Sequence, residues 1–407
     1  MIRRAFLASG AAAAVVQSLS GQSGQRPQRR YDILIRNGEV RDPGRNYRLQ
    51  ADVAILDGKI AAIEQNISAD RALDVIDAKG LYVTPGLVDL HTHCFYGGGG
   101  VSIEADPISA RSGTTTWVDA GSFAYDQVIG FRRFAVDASR TRIFGYMHLY
   151  PHLTNPDVDV VKYVRSGVRR TGEAALANRD IVLGIKVFVG SNMNGRYSYD
   201  FLKIARELGD EFKLPLMAHI SLAPPEIHQV LELLRAGDVV THCNNGHTLG
   251  IVDSGYSAKL GQLKPGVAEA RERGVLFDVG HGAGSFNFNA ARTAIHAGFL
   301  PDCISTDLHS ACVNGPTYDL PTTMTKYLHL GLSFDDVLLR TTANPAKVVG
   351  RLPGMGSLTV GGPADVALLE MQKGDFRLVD SQRNVVQVNE KVVSRLTICR
   401  GKRLTAV

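Results

Sequence analysis

GLVDLHTH, residues 86–93, is where the chain changes rhythm, and its reading decides the fold. An apolar run ends in two histidines one residue apart. On a strand successive side chains point to opposite faces, so His91 and His93 share a face and converge. Two convergent neutral imidazoles make half of a metal site, although the pair alone also suits a polar strand end that faces water.

Upstream of Gly86, short apolar runs alternate with turn residues: YDILIRNGEV (31–40), ADVAILDGKIAAI (51–63) and DVIDAKGLYVTPG (74–86). Asn37-Gly38 and Asp57-Gly58 lie between β-rich runs and predict hairpins, so residues 30–85 form a small antiparallel β unit. Downstream, eight strand-like runs alternate with helical stretches: GLVDLHTH, TTTWVDA, RIFGYMHLY, IVLGIKVFVG, LPLMAHIS, DVVTHC, VLFDVGHG and CISTDLH. Continuous Val/Ile/Leu strands between helices are parallel strands buried on both faces. Eight of them over residues 86–356 predict an α/β (β/α)8 TIM barrel, with a doubly wound sheet as the competing architecture. After TTANPAKVVG the β rhythm returns in short strands, GSLTVGGPADVALLE and RLTICRGKRL. Residues 357–407 are therefore expected to join 30–85 in one small discontinuous β-sandwich domain.

Composition limits the function. The chain has 407 residues, 44% hydrophobic, enough for a large core. The net charge of +5 comes with no basic stripe, so nucleic acid is not an expected partner. The start, MIRRAFLASGAAAAVVQSLSG, has paired arginines (Arg3, Arg4), an Ala-rich apolar stretch and a small polar region. Residues 1–28 read as an export signal of the twin-arginine type, giving a periplasmic location without a stable membrane anchor. Five scattered cysteines (Cys94, Cys243, Cys303, Cys312, Cys399) form no CxxC pair and no disulfide framework.

The polar residues at the C-terminal ends of the barrel runs carry the chemistry, because this barrel gathers its site there. They are His91 and His93 (run one), Lys186 (four), His219 (five), His242 (six) and Asp307 (eight). Together they point to a metal centre. Lys186, inside VLGIKVFVG, is badly placed for an unpaired cation. It either snorkels to solvent at the strand end or, as a neutral amine, captures CO2 and becomes a two-oxygen carbamate ligand. His281, in the Gly-rich run after strand seven, is a candidate contact to substrate or oxyanion, the alternative being a local loop hydrogen bond. Asn192, Asn194 and Arg196 are candidates to hold a carboxylate, and Asn245 to touch the reacting acyl group.

VTPGLVDLHTH, SGTTTWVDAG, GIKVFV, MAHIS, THCNNG, STDLH and SLTVGGPADVALLE resemble the amidohydrolase superfamily, more narrowly its amidohydrolase/deacetylase branch, a relative of dihydroorotases. The resemblance runs from Tyr31 to the C-terminus. It implies His91, His93 and Asp307 on one divalent metal, His219 and His242 on a second, zinc foremost, bridged by N6-carboxylated Lys186 and a hydroxide. It implies hydrolysis of an amide or acyl ester, with Asp307 moving the proton. Dihydroorotases carry an arginine two residues after the HxH; here that position is Phe95, which argues against dihydroorotate. The expected reading is a deacetylase-like binuclear hydrolase of a small carboxylate-bearing molecule, with homo-oligomerisation left open. The alternatives are a cyclic amidase of the hydantoinase or dihydroorotase kind, and a catalytically silent exported metal-binding barrel.

Overall fold

The computed structural model of the chain describes residues 30–150, 159–253 and 261–405. The expected export signal lies outside them. Among the described residues no helix is long and apolar enough to cross a membrane.

The N-terminal strands are β1 (Tyr31–Arg36), β2 (Glu39–Asp42), β3 (Tyr47–Gln50), β4 (Asp52–Leu56), β5 (Lys59–Glu64), β6 (Ala72–Asp77) and β7 (Tyr82–Pro85). The barrel strands are β8 (Leu87–Thr92), β9 (Thr114–Ala120), β10 (Arg142–His148), β11 (Val182–Val189), β12 (Leu216–Ile220), β13 (Val239–Thr241) and β14 (Leu276–Asp278). The C-terminal strands are β15 (Val366–Val379), β16 (Val385–Cys399) and β17 (Lys402–Leu404).

β8 to β14 form one parallel sheet in sequence order. The eighth run closes it through parallel bridges Thr92↔Leu308 and Asp278↔Cys303. The architecture is the expected (β/α)8 barrel. Its helices bury apolar stripes on the outer strand faces. The helix Ser198–Phe212 buries Phe201, Leu202, Ala205 and Leu208, the i, i+1, i+4, i+7 pattern of one face. Ile185, Val187 and Val189 of β11 belong to the same apolar cluster. Lys186 alternates to the other side, and its Nζ lies 3.8 Å from the Met217 sulfur of β12.

Two further sheets stack beside the barrel, β5-β4-β1-β6 and β17-β16-β15-β7-β2-β3. They share a core of Ile33, Ile35, Val53 and Ile76 from one with Val40, Val83, Val366 and Ile398 from the other, so the sandwich joins both ends of the chain. Asp57-Gly58 turns the antiparallel pair β4–β5, both residues at positive φ, as a tight hairpin demands. Asn37-Gly38 does not make the expected hairpin. β1 is paired on one edge with β4 and on the other, in parallel, with β6. No edge is left for β2, and the turn carries the chain into the second sheet, where β2 pairs with β3 and β7. The C-terminal strands also differ from expectation: β15 and β16 are not short but 14 and 15 residues long. Met371, Leu378, Val386 and Val392 cover Met324 and Tyr327 of the helix Leu320–His329, so this hairpin runs along the barrel wall.

Asp365, just before β15, accepts from Arg142 Nε and Nη2 at 2.8 and 3.3 Å and from the Arg400 amide at 2.8 Å. Its loss would strand the largely buried Arg142 guanidinium at the foot of β10. Asp365→Ala should lower the stability by about 3 kcal/mol, read as a lower urea midpoint at unchanged slope; an unmoved midpoint would contradict this role.

Candidate metal centre

The candidate metal-ligating residues converge at the C-terminal mouth. Asp307 Oδ1 lies 3.3 Å from His91 Nε2 and 3.2 Å from His93 Nε2, and one ligand atom from each of the three falls within 4.8 Å of the others. The His219 and His242 rings stand 4.4 Å apart, and His242 is 4.9 Å from His91. Lys186 Nζ reaches to 3.1 Å from His91 Nε2, so the amine points inward and does not snorkel. All of these side chains are buried or nearly so.

Three of the histidines are aimed by neighbours. His91 Nδ1 meets Thr241 Oγ1 at 2.6 Å, and that hydroxyl donates to Asp278 at 2.7 Å. His93 Nδ1 meets Ser122 Oγ at 2.8 Å, and His242 Nδ1 donates to the Gly280 carbonyl at 2.6 Å. Each contact takes the Nδ1 and leaves the Nε2 for the centre. His219 Nε2 is buried with no hydrogen-bond partner among the described residues, an orphan atom that a cation satisfies. His242 and Asp307 adopt positive φ (71° and 47°), uncommon for residues with a Cβ and typical of functional positions.

Electrostatics favours neutral imidazoles. Burial, then the Lys186 charge and the other rings, holds His91 well below its usual value. Burial and His242 do the same for His219, and burial brings His242 to about 4. Burial works against the Asp307 carboxylate, but His93 and His242 keep it below its ordinary range. Burial lowers the Lys186 amine to about 8, against the pull of Asp307, Asp278 and Asp119. The lowered value enlarges the share of neutral amine, the form that reacts with CO2. Four imidazoles, a carboxylate and such an amine fit two divalent cations.

The other candidates divide. Asn192 and Arg196 lie exposed on the segment after β11; Asn192 Oδ1 accepts from Ser221 Oγ at 2.6 Å, and Arg196 donates to the Tyr197 hydroxyl. Asn194 instead ties Tyr150 to the Phe188 carbonyl. Asn245 is buried, its amide donating to Ile220 and His242 carbonyls and its oxygen accepting from the His247 amide, so it holds its own loop. His281 is also buried, with Nδ1 donating to the Gly282 carbonyl at 2.9 Å and Nε2 accepting from Lys326 at 2.6 Å. Both of its nitrogens are engaged within the protein, the arrangement of the local hydrogen-bond alternative. Phe95 packs edge-on against Phe131 inside the core.

Sequence reasoning missed the groups that aim the ligands: Ser122, Thr241, Asp278 and Asp119, whose carboxylate accepts from the Cys94, Phe95 and Ser122 amides. A signal was present for the two aspartates, since each is a charge inside an apolar strand run, WVDA and LFDV. Nothing marked the hydroxyls.

Residues 82–404 match the Amidohydrolase family. A deacetylase of Brucella anthropi is 34% identical over 362 residues, 86% of each chain. A crystal structure of an adenine deaminase superposes with a TM-score of 0.82 at 31% identity, covering 92% of this chain and 99% of that one. A crystal structure of a dihydroorotase gives 0.81 at 32%, covering 92% and 97%.

Gly282, at φ 54°, leaves room for Asp307: a Cβ there would lie 2.2 Å from Asp307 Oδ2. Because a carboxylate moves more readily than backbone, Gly282→Ala should fold but displace Asp307. Its affinity for Zn2+ should drop by about 10- to 100-fold, the range of an outer-shell defect, in competition with a fluorescent chelator. Wild-type affinity would show that Asp307 does not depend on this space.

Proposed function

Because the chain belongs to the amidohydrolase family, we propose that it is a binuclear metal-dependent hydrolase that cleaves an acyl amide or acyl ester of a small carboxylate-bearing molecule. The observation that carries this reading is the convergence of four imidazoles, Asp307 and the inward Lys186 amine at the mouth. His91, His93 and Asp307 would hold one ion and His219 and His242 the other, with carboxylated Lys186 between them. Zinc suits this N/O donor set. When bound, such ions acidify a shared water and polarise the scissile carbonyl.

The chain's own groups supply the rest. Asp307 accepts a proton from the attacking water and returns it to the leaving nitrogen or oxygen as the C–N or C–O bond breaks. Thr241, Ser122 and the Gly280 carbonyl keep three imidazoles from turning during the reaction. The exposed Arg196, on the segment between β11 and its helix, offers the cation for a substrate carboxylate. The deacetylase relative supports an open-chain acyl substrate. Phe95, buried against Phe131, offers no charge to the ring carboxylate of a dihydroorotate. A hydantoinase-like or dihydroorotase-like cyclic amidase remains the second reading, favoured by the dihydroorotase structure. The paired Arg3 and Arg4 support export through a twin-arginine route, which an Arg3→Lys, Arg4→Lys double variant retained in the cytoplasm would bear out.

Turnover of N-acetyl-alanine and O-acetyl-lactate, beside hydantoin and dihydrouracil, tests the reading. Chelation should abolish hydrolysis and Zn2+ restore it, and Lys186→Ala should lose more than about 100-fold in kcat. Full activity in metal-free protein would end the reading. Ring opening without action on the acyl compounds would make the cyclic amidase correct.

A further inference from the structure

Lys326 lies on the helix Leu320–His329, wholly buried, and no part of the hydrolytic chemistry uses it. Its Nζ donates to the Pro316 carbonyl at 2.9 Å, the Val379 carbonyl at 2.8 Å and His281 Nε2 at 2.6 Å. Those are three acceptors for the three hydrogens of an ammonium. Burial draws the amine down to about 7, and Asp380 and Asp319 pull it back up. A buried charge is costly unless its hydrogen bonds are satisfied, and here they are met by three segments far apart in the chain.

The Val379 carbonyl ends β15, where the long hairpin turns at the barrel mouth. Ser381, in that turn, donates from its hydroxyl to the Gly282 carbonyl at 3.1 Å, accepts at that hydroxyl from the Phe286 amide at 3.2 Å, and donates its own amide to the Phe286 carbonyl at 3.0 Å. Lys326 therefore grips His281 from one side while the hairpin tip grips Gly282 from another. Gly282 itself donates to the Thr306 carbonyl at 2.8 Å and forms the surface against which the Asp307 carboxylate rests.

We propose that Lys326 is a positioning residue for Asp307: its ammonium joins the C-terminal hairpin to His281 and so fixes the His281–Gly282 backbone on which that carboxylate lies. The sandwich domain thereby reaches the reacting centre through its hairpin. The kinetic part of this proposal rests on the hydrolase reading; the structural part does not.

The test compares full-length wild type with Lys326→Met, which keeps the side-chain length and removes all three donors, and with the milder Ser381→Ala. Hydrogen exchange by mass spectrometry should accelerate about tenfold or more over residues 279–287 in Lys326→Met, and less in Ser381→Ala, while residues 31–77 are unchanged. With Zn2+ saturating, kcat for O-acetyl-lactate should fall about 10- to 100-fold with KM within threefold. Unchanged exchange over 279–287 in folded protein would overturn the proposal, as would exchange raised along the whole chain or a loosened loop with wild-type kcat. If Lys326→Met does not fold, Lys326→Gln, which is shorter and cannot satisfy all three acceptors, decides by the same criteria. A wild type inert toward O-acetyl-lactate would count against the hydrolase reading, and the exchange pattern would still decide whether Lys326 holds the loop.

Discussion

His91, His93 and His242 each commit their Nδ1 to a neighbour, and much of the barrel mouth is arranged around that commitment. A buried imidazole with two free nitrogens can turn over; one whose Nδ1 is held cannot do so easily, and its Nε2 lone pair stays aimed. The holders are themselves held. Thr241 leans on Asp278, which also accepts from Ser305 of the closing run. Ser122 is placed by Asp119, and that carboxylate also shapes the turn after the HxH pair. Asp89 takes both the amide and the hydroxyl of Thr306, so the first and last barrel runs are tied one step below the ligands. Burial makes each of these contacts stiff, since no water competes for them.

The same logic explains why the sandwich matters to a site it does not line. The hairpin β15–β16 begins paired to β7, inside the sandwich, and ends against the loops that follow β13 and β14. At its tip Asp380 accepts from the Phe288 amide, and Gln382 bonds Asn287 and the Gly246 carbonyl. Loops at the mouth of a barrel are its least constrained backbone, and this hairpin supplies fixed partners to two of them. The two chain ends meet beside the barrel, and one of them returns to brace its rim.

Much of the fold was legible because it rests on periodicity. The eight apolar runs and the helices between them are recorded in residue order, and parallel strands follow from burial on both faces. The candidate ligands were legible for a related reason: a strand's end and its alternation are local, so His91 and His93 could be assigned to one face, and Lys186 and His219 to strand ends, without coordinates. Pairing was not legible. Asn37-Gly38 has the composition of a hairpin turn, yet β1 already had β4 and β6 as partners, and the competition for an edge is settled only when all strands are present. The reach of β15 and β16 was missed for a similar reason. Their outer halves are polar enough to read as loop, and they become strands by pairing with each other and covering the helix Leu320–His329.

By itself, the sequence determined the barrel, the two-ended sandwich and the identity of the metal-competent residues, because each follows from spacing along a regular element. Only the tertiary structure decided which polar groups face the centre and which serve it from behind. His281 and Asn245 have the residue types of reactive groups, and in the fold Lys326 and a set of backbone carbonyls take up nitrogens of theirs. A hydrogen bond between residues 45 positions apart leaves no trace in local pattern, and it is such bonds that separate a ligand from its support.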